Sequence, residues 1–273
     1  MSLSSIVFQG RAGDRNDLAI PGALSIGNLL REHLGVRYTT VGTPEPALSA
    51  DWRIELDAAL PALCSMRDRL EEVMSAGNRC VAATSRCAVS IATLPVIARL
   101  RTDACVVWFD AHADLNTPDT SASGYLGGLA LSGPIGLWET GLGAGLLLDN
   151  VVLVGQRDLD PFELELIRAG KVQHIKPRTD IPTQLAKVIA GRPVYVHVDC
   201  DVLNPGIVPT DYAHQGGLSL SDLRRACEAI AQTEVVGLEI AEFQNSWSTN
   251  GEPVSPGPLL DSLRPLTDRM RKA

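Results

Sequence analysis

The chain has 273 residues, of which 45% are hydrophobic and 21% charged, and a formal net charge of −8. This is a globular composition whose length suits one α/β domain spanning residues 1–273, and no run approaches the roughly 20 apolar residues of a membrane span. The negative balance offers no field to nucleic acid or to an anionic membrane and mildly favours a cationic ligand.

In chain order, short β-branched runs alternate with segments of helical period. Strands are predicted at residues 6–8, 80–83, 104–109, 151–154, 172–175, 194–198 and 235–240. Helices are predicted at 22–34, 56–75, 89–101, 161–169, 183–190 and 221–231, with a short C-terminal helix after the proline-rich stretch 253–258. Pro161 after Asp160 sits just inside a helix start, where its missing N–H costs nothing, and Ser219 or Ser221 with Asp222 supplies a cap. Such alternation predicts crossover units and an α/β three-layer sandwich, a mostly parallel β-sheet with helices on both faces. Two long Gly/Pro/Ser-rich loops, 116–145 and 204–217, directly follow predicted strands and are expected to be functional. Six cysteines (Cys64, Cys80, Cys87, Cys105, Cys200, Cys227) lack the spacing of a disulfide framework. Together with an N-terminus interrupted by Arg11, Asp14, Arg15 and Asp17, they lead us to expect a cytoplasmic protein.

Chemistry concentrates at two strand ends. Val106 to Phe109 runs into Asp110-Ala-His112-Ala-Asp114, and extended backbone places residues i, i+2 and i+4 on one face. Val194 to Val198 runs into Asp199-Cys-Asp201 in the same way. Four aspartates packed at the carboxyl ends of two strands repel one another without cations, and hard oxygen donors with an imidazole suit Mn²⁺, with Zn²⁺ or Ni²⁺ as alternatives.

The run Asp110-Ala-His-Ala-Asp-Leu-Asn116 with Thr117-Pro118 and Ser123-Gly124 resembles the signature of the arginase and agmatinase (ureohydrolase) family. Asp199-Cys-Asp201 with Asn204-Pro205, Arg157-Asp158-Leu159-Asp160 with Glu163, and Glu239-Ile-Ala-Glu242 match in order and spacing. The resemblance covers roughly residues 80–243. It implies an arginase-like sandwich, a binuclear manganese site and hydrolysis of C–N bonds in linear amidines, a guanidino substrate giving urea plus an amine by attack of metal-held hydroxide.

By that resemblance Asp110 and Asp199 bridge the ions, His112 and Asp201 complete one, and Asp114 binds the other while relaying a proton. Glu242 pairs with the guanidinium, Asn116, Ser123 and Asp160 orient the rest of a small cationic substrate, and the protein is a trimer or hexamer.

Two segments depart from the family pattern. Thr84-Ser85-Arg86-Cys87 stands where the family has Gly-Gly-Asp-His, so Cys87 is either a soft thiolate ligand favouring zinc or a small buried residue, and Arg86 adds a positive charge nearby. Ser123-Gly-Tyr125-Leu-Gly127 puts glycine where the family has a proton-shuttling histidine, and Tyr125 where it has a substrate-binding asparagine. His214, in the second long loop, is either a replacement shuttle or a surface residue. His33, His174 and His197 are given no chemistry. Two other readings stand beside the hydrolase with two ions. One is a single-metal amide or amidine hydrolase resembling the deacetylases. The other is a non-catalytic, ligand-binding family member.

Overall fold

The computed structural model describes residues 2–177 and 179–272. Eight strands form one sheet: β1 (Leu3–Phe8), β2 (Tyr38–Val41), β3 (Arg79–Ala83), β4 (Cys105–Phe109), β5 (Val151–Val154), β6 (Gln173–Ile175), β7 (Val194–Asp199) and β8 (Val235–Ala241). Their order is β2-β1-β3-β8-β7-β4-β5-β6, and every pairing is parallel. Parallel neighbours need crossovers, and the helices supply them: α1 (Ala19–Leu34), α2 (Trp52–Ser75), α3 (Ser90–Leu100), α4 (Ser132–Ile135), α5 (Pro161–Arg168), α6 (Ile181–Ile189), α7 (Leu220–Ile230) and α8 (Gly257–Lys272).

The core falls into two clusters, one on each face of the sheet. On one side Ala23 and Ile26 of α1, Leu185 of α6, Leu223 of α7 and Leu263 of α8 pack with Val107 and Phe109. On the other, Leu63 and Met66 of α2 and Ile91 of α3 pack with Val106 and Trp108. Successive residues of β4 thus serve opposite layers, as the two-residue period of a strand requires. The expected three-layer sandwich is what forms.

One strand was not predicted. β2 is a four-residue edge strand of partly polar sequence, half-buried at its start, and it pairs only with β1. Nothing in Tyr38-Thr-Thr-Val distinguishes such an edge from a loop, because its ladder and not its side chains specifies it. The C-terminal helix is longer than expected, with 16 residues in α8. No helix is long and apolar enough to cross a membrane among the described residues.

Candidate metal and substrate site

The four central strands, β3, β8, β7 and β4, deliver their carboxyl ends to one place, the position where parallel α/β sheets bind ligands. Cys87 follows β3, Glu242 follows β8, Asp199 closes β7 with Asp201 beyond it, and Asp110, His112 and Asp114 follow β4. A cavity of about 210 Å³ opens above them. Cys87, His112, Asp114, Asp199 and Glu242 line its floor, and Asn116, Ser123, Tyr125, Asp160 and Tyr212 line its walls.

Backbone amides aim the floor carboxylates. Asp110 accepts from the His112 N–H at 2.7 Å, Asp199 from the Asp201 N–H at 2.7 Å, and Asp201 from the Ala111 N–H at 2.9 Å. The Trp108 indole N–H donates to Asp110 at 2.9 Å. Nδ1 of His112 lies 3.0 Å from Asp201 and 3.3 Å from Asp110, so those three residues gather within reach of one ion. Asp114 and Glu242 both hold left-handed backbone, with φ of 52° and 64°. Such conformations are costly for residues other than glycine and concentrate at functional sites, where they set the direction of a side chain.

The electrostatics are those of crowded, buried carboxylates. Burial pushes Asp110 up to about 7, with Asp201 adding to the effect. Burial likewise raises Asp114 and Asp199 well above the carboxylate range, helped by Asp110 for the first and by Asp201 and Asp110 for the second. Burial opposes charge on His112 but hydrogen bonds with Asp110 and Asp201 prevail and raise it. For Asp201 burial is likewise outweighed, by the His112 hydrogen bond, and its carboxyl is lowered. Among the described residues His112 is the one basic side chain within ion-pair distance of any of these four carboxylates, reaching Asp110 and Asp201.

Arg86 adds its positive charge next to the site through Glu242, which also binds the Cys87 N–H. It is fully buried, Nε donating to Asp14 at 2.9 Å and Nη1 to Glu242 at 2.8 Å and to Asp211. Glu242 also accepts the Cys87 N–H at 2.9 Å and the Tyr125 hydroxyl at 3.4 Å. Burial raises Glu242 to about 7 against the pull of Arg86. Neither Asp14 nor Asp211 stood out in the sequence, since their partnership with Arg86 spans 72 and 125 residues of chain.

Tyr125 occupies the space that a side chain on Gly127 would need: a Cβ there would lie 2.3 Å from its Cε1. Asn116 donates to Asp160 at 2.7 Å on the far wall. His214 sits at the rim beyond the cavity lining, 34% exposed, its Nε2 3.2 Å from Asp158. Arg157 fixes that loop by donating to the carbonyls of His214, Asp201 and Leu203.

His197, given no chemistry from the sequence, lies beneath the floor. It is fully buried, its ring stacked on Trp108 at 3.6 Å with 6° between planes, and Nε2 is 3.2 Å from Cys87 Sγ. The signal for it was the alternation already used for the aspartates, because His197, Asp199 and Asp201 are themselves i, i+2 and i+4.

Comparison with known proteins agrees with this geometry. The Arginase family profile matches residues 38–253. The chain is 39% identical over 263 residues to the N(omega)-hydroxy-L-arginine amidinohydrolase of Streptomyces lavendulae, covering 96% of each sequence. It is 32% identical over 165 residues to an arginase of Glaciozyma antarctica, covering 53% of this chain and 48% of that one. In fold it superposes on Entamoeba histolytica arginase, solved with L-ornithine, with TM-score 0.85 at 19% identity, covering 97% and 98% of the two chains. Bacillus subtilis arginase gives TM-score 0.83 at 20% identity over the same shares. The chain therefore belongs to the arginase family and is a metal-dependent hydrolase of guanidino or amidino C–N bonds.

Proposed function

We propose that this enzyme hydrolyses the guanidino group of an arginine-like amino acid, N-hydroxylated at its terminal nitrogen, to an amine and hydroxyurea, using two divalent ions. The observation that carries the reading is the convergence of Cys87, His112, Asp114 and Asp199 on the cavity floor, with Asp110 and Asp201 gathered at His112. The donor set fits the ions: aspartates that raise one another by proximity favour cations over isolation, and oxygen, imidazole and sulfur donors accept manganese or zinc. Asp110, His112, Asp199 and Asp201 would hold one ion, and Cys87 and Asp114, with Asp110 and Asp199, would hold the other. When bound, such ions supply Lewis acidity and lower the pKa of water.

The chain's own residues do the rest. Asp114 is placed to take the proton of the attacking water and return it to the leaving nitrogen. The carbon–nitrogen bond to the side-chain nitrogen breaks, the water oxygen becomes the carbonyl of the product, and the departing amine leaves with the relayed proton. Glu242, held on three sides, accepts a hydrogen bond from the amidine nitrogens. Asn116, Ser123 and Asp160 on the walls position the amino-acid end, and Tyr125 narrows the entrance. The relative with 39% identity carries N(omega)-hydroxy-L-arginine in its name. An electron-withdrawing hydroxyl makes a guanidine less basic, which suits a pocket where glycine replaces a shuttling histidine and His214 stands at the rim beside Asp158.

The test pairs two substrates on one manganese- or zinc-loaded preparation, with products separated by mass. Hydroxyurea from N-hydroxyarginine at a rate well above urea from arginine is expected. Preference for plain arginine would overturn the substrate, and no product from either, with the ions shown to be bound, would overturn the reaction.

A further inference from the structure

We propose that His197 is a metal ligand, and that with Cys87 it makes the ion position assigned to Cys87 and Asp114 a soft, zinc-preferring site.

The placement follows from the sheet. β7 alternates, so His197 shares a face with Asp199, and the register sets it opposite Trp108 on β4. Trp108 then fixes the imidazole plane by stacking, while its own indole N–H holds Asp110. The far side of the ring is equally fixed. Nδ1 lies 3.2 Å from Ser90 Oγ and 3.6 Å from Glu239 Oε2. That Glu239 oxygen also accepts from Ser90 at 3.1 Å, Thr93 at 3.1 Å and Tyr195 at 3.2 Å. Because the Ser90 proton is committed to Glu239, the Ser90 oxygen is an acceptor toward the imidazole, which places the ring proton on Nδ1. Nε2 faces Cys87 Sγ, whose own proton is directed at Asp199 Oδ2, so an ion bound between them would take that proton's place. A carboxylate or hydroxyl behind a histidine, with the free nitrogen facing forward, is the arrangement that orients histidine ligands in metal proteins.

The donor separations agree. Cys87 Sγ is 3.2 Å from His197 Nε2 and 3.0 Å from Asp199 Oδ2. Bonds of about 2.3 Å to sulfur and about 2.0–2.1 Å to nitrogen give edges of roughly 3.1 Å at a right angle and 3.6 Å at the tetrahedral angle. Cys87, His197 and Asp110 donors lie mutually within 4.8 Å. Sulfur and imidazole on one ion shift preference from manganese toward zinc, whereas the position held by Asp110, His112 and Asp201 is mostly oxygen.

The inference rests on Cys87 being a ligand, as the proposed function has it, and its test does not depend on turnover. The His112→Ala protein, which removes the other imidazole in contact with the floor carboxylates, is loaded with one equivalent of Zn²⁺ and examined by X-ray absorption. One sulfur shell together with imidazole scattering is the expected result. Sulfur without imidazole would remove His197 and leave Cys87. Absence of sulfur would overturn both, while the hydrolase reading would still stand or fall on product release. In parallel, His197→Gln is expected to weaken zinc binding at least tenfold and to shift the sulfur-to-cobalt charge-transfer band of the Co²⁺-substituted protein. Unchanged zinc affinity and an unchanged band in a folded variant would overturn the proposal.

Discussion

Arg86 holds together the wall behind the cavity, because it is the shared partner of Asp14, Asp211 and Glu242 and is itself excluded from water. Removing one member of a buried ion cluster strands the others, at a cost of about 3–5 kcal/mol. Arg86→Met should lose stability on that scale in urea unfolding, and a loss below about 1 kcal/mol would mean that the carboxylates re-solvate. Asp114 behaves oppositely. Its carboxyl is crowded by Asp110 and Glu163, so Asp114→Asn relieves repulsion while removing the proposed proton carrier. We expect turnover to fall at least about 100-fold while the chelator-treated variant melts no lower than the parent. At this scale the sequence was legible where chemistry sat in contiguous motifs, as with Asp110, His112, Asp114, Asp199 and Asp201. It was not legible for Asp14 or Asp211, nor for the contacts of Glu239 with Ser90, Thr93 and Tyr195, which depend on partners that the fold brings to them.

Among the elements, α5 ties helix capping to the substrate wall. Glu163, three residues into the capping box that opens at Asp160, accepts the N–H of Asp160 at 3.0 Å and that of Leu115, in the loop after β4, at 3.0 Å. Glu163→Ala leaves two N–H groups without that partner, and about 2 kcal/mol of lost stability is expected by denaturant titration. Asp160 separates its two roles by substitution. Asparagine is as good an N-cap, so Asp160→Asn should keep stability within about 0.5 kcal/mol of the parent and act on KM, whereas Asp160→Ala should cost about 1 kcal/mol as well. Equal effects on KM and stability in both variants would contradict the assignment of Asp160 to the substrate wall. The strong β-branched strands and the helix at Pro161 were readable because local pattern and tertiary role coincide there. The edge strand β2 was not, since its partner β1 supplies what its own residues lack.

For the molecule as a whole, the crowded floor makes stability depend on pH and on ions together. Asp110 and Glu242 stand near 7, and Asp114, Asp199 and His112 are also raised, each with burial as its largest influence, offset at His112 by its carboxylate partners. With the ions chelated, the folded protein therefore retains protons that the unfolded chain has already released, the carboxylates above about pH 4 and the imidazole above about pH 6.5. Stability then falls as pH rises through 7. Divalent ions replace those protons, so the gain in melting temperature on adding excess Mn²⁺ should be larger at pH 8 than at pH 6. A gain independent of pH, measured by calorimetry, would show that the carboxylates are ionised before the ions arrive.

The strand order also sets a timetable for biosynthesis. β8 is inserted between β3 and β7, and it ends only at Ala241, just before Glu242. Until that last strand leaves the ribosome, the half-sheets that carry Cys87 and Asp199 have no common edge. An ion position that needs Cys87 together with Asp199 is thus completed late on the growing chain, whereas Asp110, His112 and Asp201 follow the directly paired β4 and β7 and can meet before β8 is made.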